Sequence, residues 1–273
     1  MWTRLLAFVL QAFANQRDFI WKTWYQFLAS TYPQADWTFM NYGYAPLAGP
    51  ERLTPLDPED ESNSYCIQLY QQAVDDISLT DLTVMEVGCG RGGGADYLCR
   101  YFKPQKLIGV DFSASAIAFC QRTYQTPQLS FKVGNAQALP FADQSFDVVI
   151  NVESSHCYPD FSQFIREAKR VLRDGGYFIF ADFREKSEFA TLQNTLNRSG
   201  LIQLREQDIT PNVLRALALD SDKKTTRIKK LIHKPLQNLF YEFAGTQNSQ
   251  LYHGFQQGDL VYASYILQKA RAD

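Results

Sequence analysis

The middle of the chain, from residue 65 to about residue 184, alternates short apolar runs with segments whose apolar residues recur every three to four positions. This alternation predicts β-α-β units and a parallel sheet. The predicted strands are rich in Val, Ile, Leu or Phe and cover 82–87, 106–110, 130–133, 146–152 and 176–181. The predicted crossover helices are 95–102, 114–124 and 161–172. The pattern therefore indicates an α/β core.

The second half of the chain adds further elements to this core. Residues 188–199 have helical spacing, and 201–209 has the composition of another strand. Residues 211–243 predict two polar-faced helices with a break around 220–223. The closing run, 260–268, alternates as a strand does.

An apolar N-terminal segment and a polar, proline-bearing stretch precede the core. Apolar positions run from 5 to 10 and recur at helical spacing at Phe13, Ile20 and Trp24, which favours an amphipathic helix over a cleaved signal peptide. No run reaches the ~18 apolar residues of a membrane span, so this helix either packs as a lid or contacts a membrane surface. Residues 41–64 contain four prolines and predict an irregular wrapping segment.

Composition and charge narrow the possible functions. The 273 residues carry 27 basic and 29 acidic side chains. The chain therefore lacks the excess of basic side chains that is typical of a nucleic-acid-binding protein, and an uncharged partner is favoured. Five scattered cysteines and three distant histidines predict reduced thiols, a cytoplasmic location and no metal site. The 20 Phe and 15 Tyr indicate either a large core or a pocket for an apolar ligand.

The sharpest local feature is a buried strand that runs into glycines and then a helix, at residues 84–94. Gly88, Gly90 and Gly93 satisfy the G-x-G-x-x-G pattern, in which residues without Cβ allow a tight turn and a close ligand. The free amides at the N-terminus of the next helix face the same crevice. Alone, this pattern is a weak signal, because a glycine-rich turn needs no ligand.

Three further residues make the glycine loop part of a predicted adenosine site. Asp111 follows the second strand, where a carboxylate accepts hydrogen bonds from both hydroxyls of a ribose. Asn135 follows the third strand, where an amide pairs with the polar edge of adenine. Glu86 precedes the first glycine by two residues, and its carboxylate would repel a pyrophosphate but suits an ammonium group. We therefore expect S-adenosyl-L-methionine rather than a dinucleotide.

Several motifs together resemble those of the class I S-adenosylmethionine-dependent methyltransferases. They are E-V-G-C-G-R-G-G-G at 86–94, G-V-D-F-S at 109–113, G-N-A-Q-A-L-P-F at 134–141, S-F-D-V-V at 145–149 and R-V-L-R-D-G-G at 170–176. Three further motifs resemble those of one family within this class, the phthiotriol/phenolphthiotriol dimycocerosates methyltransferases. They are N-Y-G-Y at 41–44, C-G-R-G-G-G-A-D-Y-L at 89–98 and N-V-E-S-S-H-C-Y-P-D-F at 151–161. The resemblance extends to residues 258–265 and is weakest in the N-terminal helix and in 187–245.

This resemblance implies a Rossmann-like fold with a mostly parallel seven-stranded sheet, helices on both faces, a helical N-terminal lid and a helical cap before the last strand. It divides the chain into a lid and wrapping segment (1–64), a cofactor-binding core (65–210), a substrate cap (211–250) and a final strand region (251–273). Members of the family O-methylate hydroxyls on long polyketide-derived lipids. The implied cofactor is S-adenosyl-L-methionine, with S-adenosyl-L-homocysteine as product, and the implied partner is a hydrophobic small molecule.

The resemblance also completes a set of candidate cofactor-binding residues. Either Tyr42 or Tyr44 is implied to close over the methionine end of the cofactor. Asn135 stands where many relatives carry Asp, so we expect its side-chain oxygen to accept from the amino group of adenine. The full set is Tyr42, Tyr44, Glu86, Gly88, Cys89, Gly90, Asp111, Phe112, Asn135, Ala136, Gln137 and Val152.

Methyl transfer to an alcohol requires the hydroxyl proton to leave, and three residues are candidates for handling it. His156 follows the fourth strand closely, and an imidazole with an ordinary pKa of ~6.5 is largely neutral at neutral pH. Glu153, at the end of that strand, either orients the imidazole, lines the cofactor pocket or accepts the proton itself. Asp182, at the end of the fifth strand, is a second candidate for orienting the imidazole.

Three hypotheses for function follow from these residues. The first is an O-methyltransferase for a hydrophobic polyketide, lipid or lipopeptide, with His156 as general base. The second is a C-methyltransferase of the sterol or tocopherol type, in which Glu153 stabilises a carbocation or removes a ring proton. The third is a non-catalytic scaffold that keeps the cofactor as a structural ligand. The acceptor and the oligomeric state are left open by the sequence.

Overall fold

The computed structural model describes residues 37–49 and 55–271. Within this part of the chain, seven strands form one sheet in the order β3-β2-β1-β4-β5-β7-β6. The strands are β1 Thr83–Val87, β2 Lys106–Asp111, β3 Leu129–Val133, β4 Phe146–Val152, β5 Leu172–Glu185, β6 Leu201–Asp208 and β7 Leu260–Lys269. The helices are α1 Ser64–Val74, α2 Gly93–Phe102, α3 Ala114–Thr123, α4 Phe161–Val171, α5 Lys186–Asn197, α6 Thr210–Leu231, α7 Lys234–Phe243 and α8 Gln250–Gln257.

Strands β1 to β5 run parallel, and β7 lies antiparallel between β5 and β6. The chain moves outward from β1 to β2 and β3, then crosses back to place β4 on the other side of β1. This change of direction is a topological switch point, where a crevice opens beyond the carboxyl ends of the strands. The predicted mostly parallel, seven-stranded sheet is confirmed.

Helices cover both faces of the sheet. This explains why the sequences of the central strands are continuous apolar runs. Successive side chains of a strand point to opposite faces, so Val84 joins the core beneath α1 and α2, whereas Met85 joins the core beneath α4. Helices α1, α2, α3, α6 and α8 contribute to the first of these cores, and α4 and α5 contribute to the second. The predicted helices on both faces are therefore present.

The region after β6 corrects one prediction. The break expected at 220–223 is wrong, because α6 continues through these residues to Leu231. Ser, Asp and Lys at these positions contain no helix breaker, and the chain turns only at Ile232 and His233, shortly before Pro235 in the first turn of α7. Helix α8 was not predicted from the sequence.

The predicted N-terminal amphipathic helix lies outside the described residues. Of the wrapping segment, residues 41–49 form no helix or strand, and a short 3-10 turn at Glu61–Asn63 leads into α1. Across the described ranges, no helix combines the length and the apolar character that crossing a bilayer requires.

Replacing Phe178 by alanine tests the importance of the second core. Its side chain is fully buried in β5 and contacts Phe164 and Phe180, so Phe178→Ala should lower the free energy of unfolding by ~3–5 kcal/mol. Leu204→Ala, at an exposed site on β6, should have little effect. Denaturant unfolding measures both, and equal losses in the two variants would contradict this account of the core.

Candidate active site

A cavity of about 160 Å³ opens at the switch point, beyond the carboxyl ends of β1, β2 and β4. The structure brings ten of the predicted site residues together around it. They are Gly88, Cys89, Gly90, Asp111, Phe112, Asn135, Ala136, Gln137, Val152 and Glu153. We refer to this space as the first cavity.

The glycine loop forms the floor of the first cavity. Gly88 has a φ of +76°, and a Cβ at this position would clash with the side chain of Ser154. The N–H groups of Gly88 and Cys89 both donate to the carbonyl of Val110, at 2.8 and 3.1 Å, which fastens the loop to β2. Only glycine satisfies both the backbone conformation and the close approach at residue 88.

Asp111 joins this loop to the turn after β2. Its Oδ2 accepts from the N–H of Gly90 at 2.9 Å, and its Oδ1 accepts from the N–H of Ser113 at 2.8 Å. Burial raises the pKa of Asp111, although these two N–H groups oppose the shift. Each carboxylate oxygen keeps a second lone pair, so the group retains the capacity to accept from ribose hydroxyls. The neighbouring Phe112 is 49% exposed and lines the same cavity.

Asn135 makes a local hydrogen bond in addition to any contact with adenine. Its Oδ1 accepts from the N–H of Gln137 at 3.0 Å, which closes a short turn after β3. This bond fixes the orientation of the amide. The contact between this oxygen and the amino group of adenine stays a prediction.

Glu86 is fully buried but is not among the residues that line the first cavity. Its side chain joins the face of the sheet covered by α1, where Oε1 accepts from the hydroxyl of Tyr70 at 2.6 Å. Burial raises the pKa of Glu86 to about 7, although the Tyr70 hydroxyl opposes this. Tyr70 itself lines the cavity, so its hydroxyl connects Glu86 to this space. A direct contact between Glu86 and an ammonium group stays a prediction.

Neither predicted tyrosine of the wrapping segment lines the first cavity. The ring of Tyr42 packs against Phe183 and Phe255, and the N–H of Tyr44 donates to the carbonyl of Tyr65 at 2.9 Å. The residues just before them, at positions 37–41, line the cavity instead. Asn41 belongs to the N-Y-G-Y motif, and residues 37–40 directly precede it.

The partly buried His156 and the fully buried Asp182 form a pair beside the first cavity. The Nδ1 of His156 lies 2.8 Å from Oδ1 of Asp182, and the backbone N–H of His156 donates to Oδ2 at 3.0 Å. The hydroxyl of Ser155 also donates to Oδ2, and Arg184 lies 3.3 Å from it. The residues around this turn, Glu153, Ser154, Cys157 and Tyr158, line the cavity, whereas His156 itself does not.

The pair changes the expected acidity of the histidine. Burial would lower the pKa of His156, but Cys157 and Asp182 outweigh it and raise the pKa to about 10. Burial would raise the pKa of Asp182, but His156 and Arg184 hold it well below its usual range. The folded protein therefore raises the imidazole pKa above the ordinary value assumed from the sequence, and the neutral ring is a stronger base than a free imidazole.

Glu153 occupies a left-handed backbone conformation, with a φ of +49°, at the end of β4. Its N–H donates to the carbonyl of Ala181 at 2.7 Å. Its Oε2 accepts from the N–H of Tyr42 at 2.9 Å and from the hydroxyl of Tyr262 at 3.0 Å. Burial raises the pKa of Glu153 to about 8. Such a backbone conformation persists only where the surroundings hold it, as these bonds do.

Comparisons with known proteins agree with this arrangement. A family model described as a methyltransferase domain matches residues 85–180. The phthiotriol/phenolphthiotriol dimycocerosates methyltransferase of Mycobacterium tuberculosis (strain H37Rv) is 37% identical over 92% of this chain and 92% of its own. A fatty-acid O-methyltransferase of Mycolicibacterium smegmatis is 34% identical over 90% of this chain and 88% of its own.

Two solved structures share the fold. The [4+2]-cyclase SpnF has a TM-score of 0.70 and 17% identity, and the match covers 92% of this chain and 96% of SpnF. The geranyl diphosphate C-methyltransferase of Streptomyces coelicolor, solved with S-adenosyl-L-homocysteine, has a TM-score of 0.62 and 17% identity over 90% of this chain and 98% of its own. At this identity, both show the architecture alone.

The fold and the site define a class I S-adenosylmethionine-dependent methyltransferase. Within that class, the chain belongs to the phthiotriol/phenolphthiotriol dimycocerosates methyltransferase family. Its cofactor is S-adenosyl-L-methionine, and the described residues fit it. Gly88 leaves no room for a Cβ, and Asp111 keeps free lone pairs beside an exposed aromatic ring.

Asp111→Asn tests the assignment of the ribose site. An amide has one acceptor oxygen where the carboxylate has two, so one of the bonds to Gly90 and Ser113 is lost together with a ribose contact. Binding of S-adenosyl-L-homocysteine, measured by calorimetry, should weaken roughly 10- to 100-fold. The surface variant Asp143→Asn should bind as the wild type does, and unchanged affinity in Asp111→Asn would contradict the assignment.

Glu153→Gln tests the acidity of the buried carboxyl. The folded-state pKa of about 8 lies above the ordinary value of 4.5, so the folded protein holds a proton that the unfolded chain releases. This contribution to the stability of the wild type is complete below about pH 4.5 and is lost as pH rises towards 8. The stability of Glu153→Gln relative to the wild type should therefore grow by about 2 to 4 kcal/mol between pH 5 and 8.

Chemical unfolding across this pH range measures the effect. Glu188→Gln, at an exposed position of α5, should follow the wild-type profile. A stability difference between Glu153→Gln and the wild type that stays constant with pH would show that the carboxyl is not shifted.

Proposed function

We propose that this enzyme O-methylates a hydroxyl group of a hydrophobic, lipid-like natural product such as a polyketide, lipid or lipopeptide. In this proposal His156 is the general base, and Asp182 is its positioning residue. The observation that carries it is the 2.8 Å contact between His156 Nδ1 and Asp182 Oδ1, on the loop that borders the cofactor cavity. The names of the two curated relatives, which act on dimycocerosates and fatty acids, support the substrate class.

The geometry of the pair suits a base that takes a proton from an alcohol. The Asp182 carboxylate binds Nδ1, which assigns the proton to that nitrogen and leaves Nε2 as the acceptor. The same carboxylate stabilises the imidazolium that forms when Nε2 accepts the proton. The raised pKa of His156 makes the neutral ring a strong base and limits its population at neutral pH.

When bound, S-adenosyl-L-methionine supplies a methyl group on a sulfonium that is already activated for transfer. The protein's tasks are then to position the acceptor in line, exclude water and remove one proton. Glu153 fastens the segment around Tyr42 to the end of β4 and so shapes the wall of the first cavity. Tyr262 completes this attachment through its hydroxyl.

A second cavity, of about 90 Å³, supports an apolar acceptor beneath a helical cap. It shares Trp37, Phe39, Met40 and Asn41 with the first cavity. Its opposite wall comes from α6 and α7 and their flanks. The apolar residues there are Ile228, Leu231, Ile232, Phe243 and Ala244. We propose that residues 211–250 act as the substrate cap and that the acceptor lies across this shared wall.

C-methylation is a second candidate because Glu153, a partly buried carboxyl, lines the first cavity directly while His156 does not. A carboxylate there would stabilise a carbocation or remove a ring proton. Mass spectrometry and NMR of the methylated product distinguish the two chemistries. Transfer to oxygen supports the first proposal, transfer to carbon supports the second, and failure to turn over any hydroxylated lipid, polyketide or lipopeptide extract would contradict the first.

Variants of the pair test the role of His156. In His156→Ala, kcat should fall roughly 100- to 10,000-fold while affinity for S-adenosyl-L-homocysteine is retained. In Asp182→Asn, the pH at which the rate rises should move downwards, because the carboxylate that raises the pKa of His156 is gone. His253→Ala, at an exposed position of α8, is the matched control. A full rate in His156→Ala would remove this residue from the mechanism.

A further inference from the structure

Arg184 lies two positions after Asp182 on β5, so both side chains point to the same face of the strand. The Arg184 side chain is 10% exposed, and its Nη1 lies 3.3 Å from Oδ2 of Asp182. Its Nη2 donates at 2.7 Å to the hydroxyl of Ser155, which in turn donates at 2.7 Å to the same Oδ2. The guanidinium therefore reaches the buried carboxylate both directly and through one hydroxyl group.

Two further contacts hold the guanidinium in this position. Its Nη1 donates to the carbonyl of Phe183 at 2.6 Å, and the group lies over the ring of Phe161, 5.3 Å from the ring centroid. Arg184 is not among the residues that line the first or the second cavity. Its described polar contacts go instead to the protein around Asp182.

The charge of Arg184 is permanent, whereas that of His156 is not. A guanidinium keeps its proton at any pH at which the protein is folded, and an imidazole loses its charge with its proton. A general base needs the neutral ring, but in that state Asp182 retains a full charge without exposed surface. Because an unpaired buried carboxylate is costly, it favours retention of the proton by the ring. Of the ion pairs described for Asp182, the one with Arg184 persists when the ring is neutral.

Four further titratable groups face this pair, and each is neutral or negative. They are Glu153 at the end of β4, Cys157 in the turn that follows, Tyr42 in the segment before α1 and Tyr262 on β7. Burial raises the pKa of both tyrosines, which therefore stay uncharged, and it raises the pKa of Glu153 to about 8. An ionised Glu153 holds the proton on His156 more firmly, as Asp182 does. Among the described groups around the pair, Arg184 is therefore the charge that favours the neutral ring.

We propose that Arg184 is a positioning residue for methyl transfer: its permanent charge balances Asp182 when His156 gives up its proton, and it thereby sustains the neutral ring that accepts the proton of the acceptor hydroxyl. The inference rests on the proposed function, because it assumes that His156 is the base. The ring receives the proton at Nε2 during methyl transfer and releases it to water before the next turnover. The charge of Arg184 favours this release.

Titration of the His156 imidazole by NMR tests the proposal without turnover. The chain has three histidines, so the spectrum of His156→Ala identifies the signal. In Arg184→Gln, the amide keeps a donor for Ser155 but loses the charge, so the midpoint of the titration should move to higher pH by about one unit. Arg184→Lys keeps the charge and should restore a midpoint close to that of the wild type. The control Arg166→Gln, at a 62% exposed position of α4, should titrate as the wild type does.

The rate should change in the same order. In Arg184→Gln, kcat at pH 7.5 should fall about three- to tenfold, because a smaller fraction of the rings is neutral and their greater basicity offsets this only in part. The loss should shrink as pH rises, which a merely structural role would not produce. Affinity for S-adenosyl-L-homocysteine should be retained, because Arg184 does not line the first cavity.

Ser155→Ala provides a second test if Arg184→Gln does not fold. This variant removes the hydroxyl between the guanidinium and the carboxylate but leaves both charges in place, so the midpoint of His156 should rise by a smaller amount. An unchanged or lowered midpoint in Arg184→Gln, or in Ser155→Ala where the first variant does not fold, would overturn the proposal. A raised midpoint together with a full rate in His156→Ala would instead contradict the proposed general base, on which the role of Arg184 in methyl transfer depends.

Discussion

The position of the turn after β4 depends on one buried carboxylate. Asp182 has no exposed surface, and an unpaired charge there would cost several kcal/mol, on the order of the stability of a domain. The hydroxyl of Ser155, the backbone and ring of His156 and the N–H of Phe183 satisfy its two oxygens, with Arg184 close by. These partners come from the turn after β4 and from β5 itself. The need to neutralise Asp182 therefore fixes the loop and the orientation of the imidazole together.

The segment at 37–45 is held in a comparable way, although it contains no helix or strand. The N–H of Tyr42 donates to Glu153 at the edge of the sheet. The N–H and the carbonyl of Ala45 both pair with Asn212, on the first turn of α6. This irregular segment is held beside the first cavity because its backbone groups are satisfied by the end of the sheet on one side and by α6 on the other.

The sequence predicted the sheet well because parallel strands are buried on both faces and leave compact apolar runs. The strand ends then located Gly88, Asp111 and Glu153, which require only local sequence to be recognised. The partners of these residues were not predictable in the same way. Tyr262, which binds Glu153, lies 109 positions away along the chain. The raised pKa of His156 likewise arises from contacts that exist only in the folded protein.

The shared wall has a consequence for how ligands enter and leave. Trp37, Phe39, Met40 and Asn41 border the first cavity on one side and the second cavity on the other. Any ligand that stabilises one arrangement of this segment changes the free energy of filling the other cavity. Linkage requires that the effect be mutual, so the affinities of the two cavities for their ligands change by the same factor. Release of a ligand from the first cavity then alters the affinity of the second cavity for its own ligand.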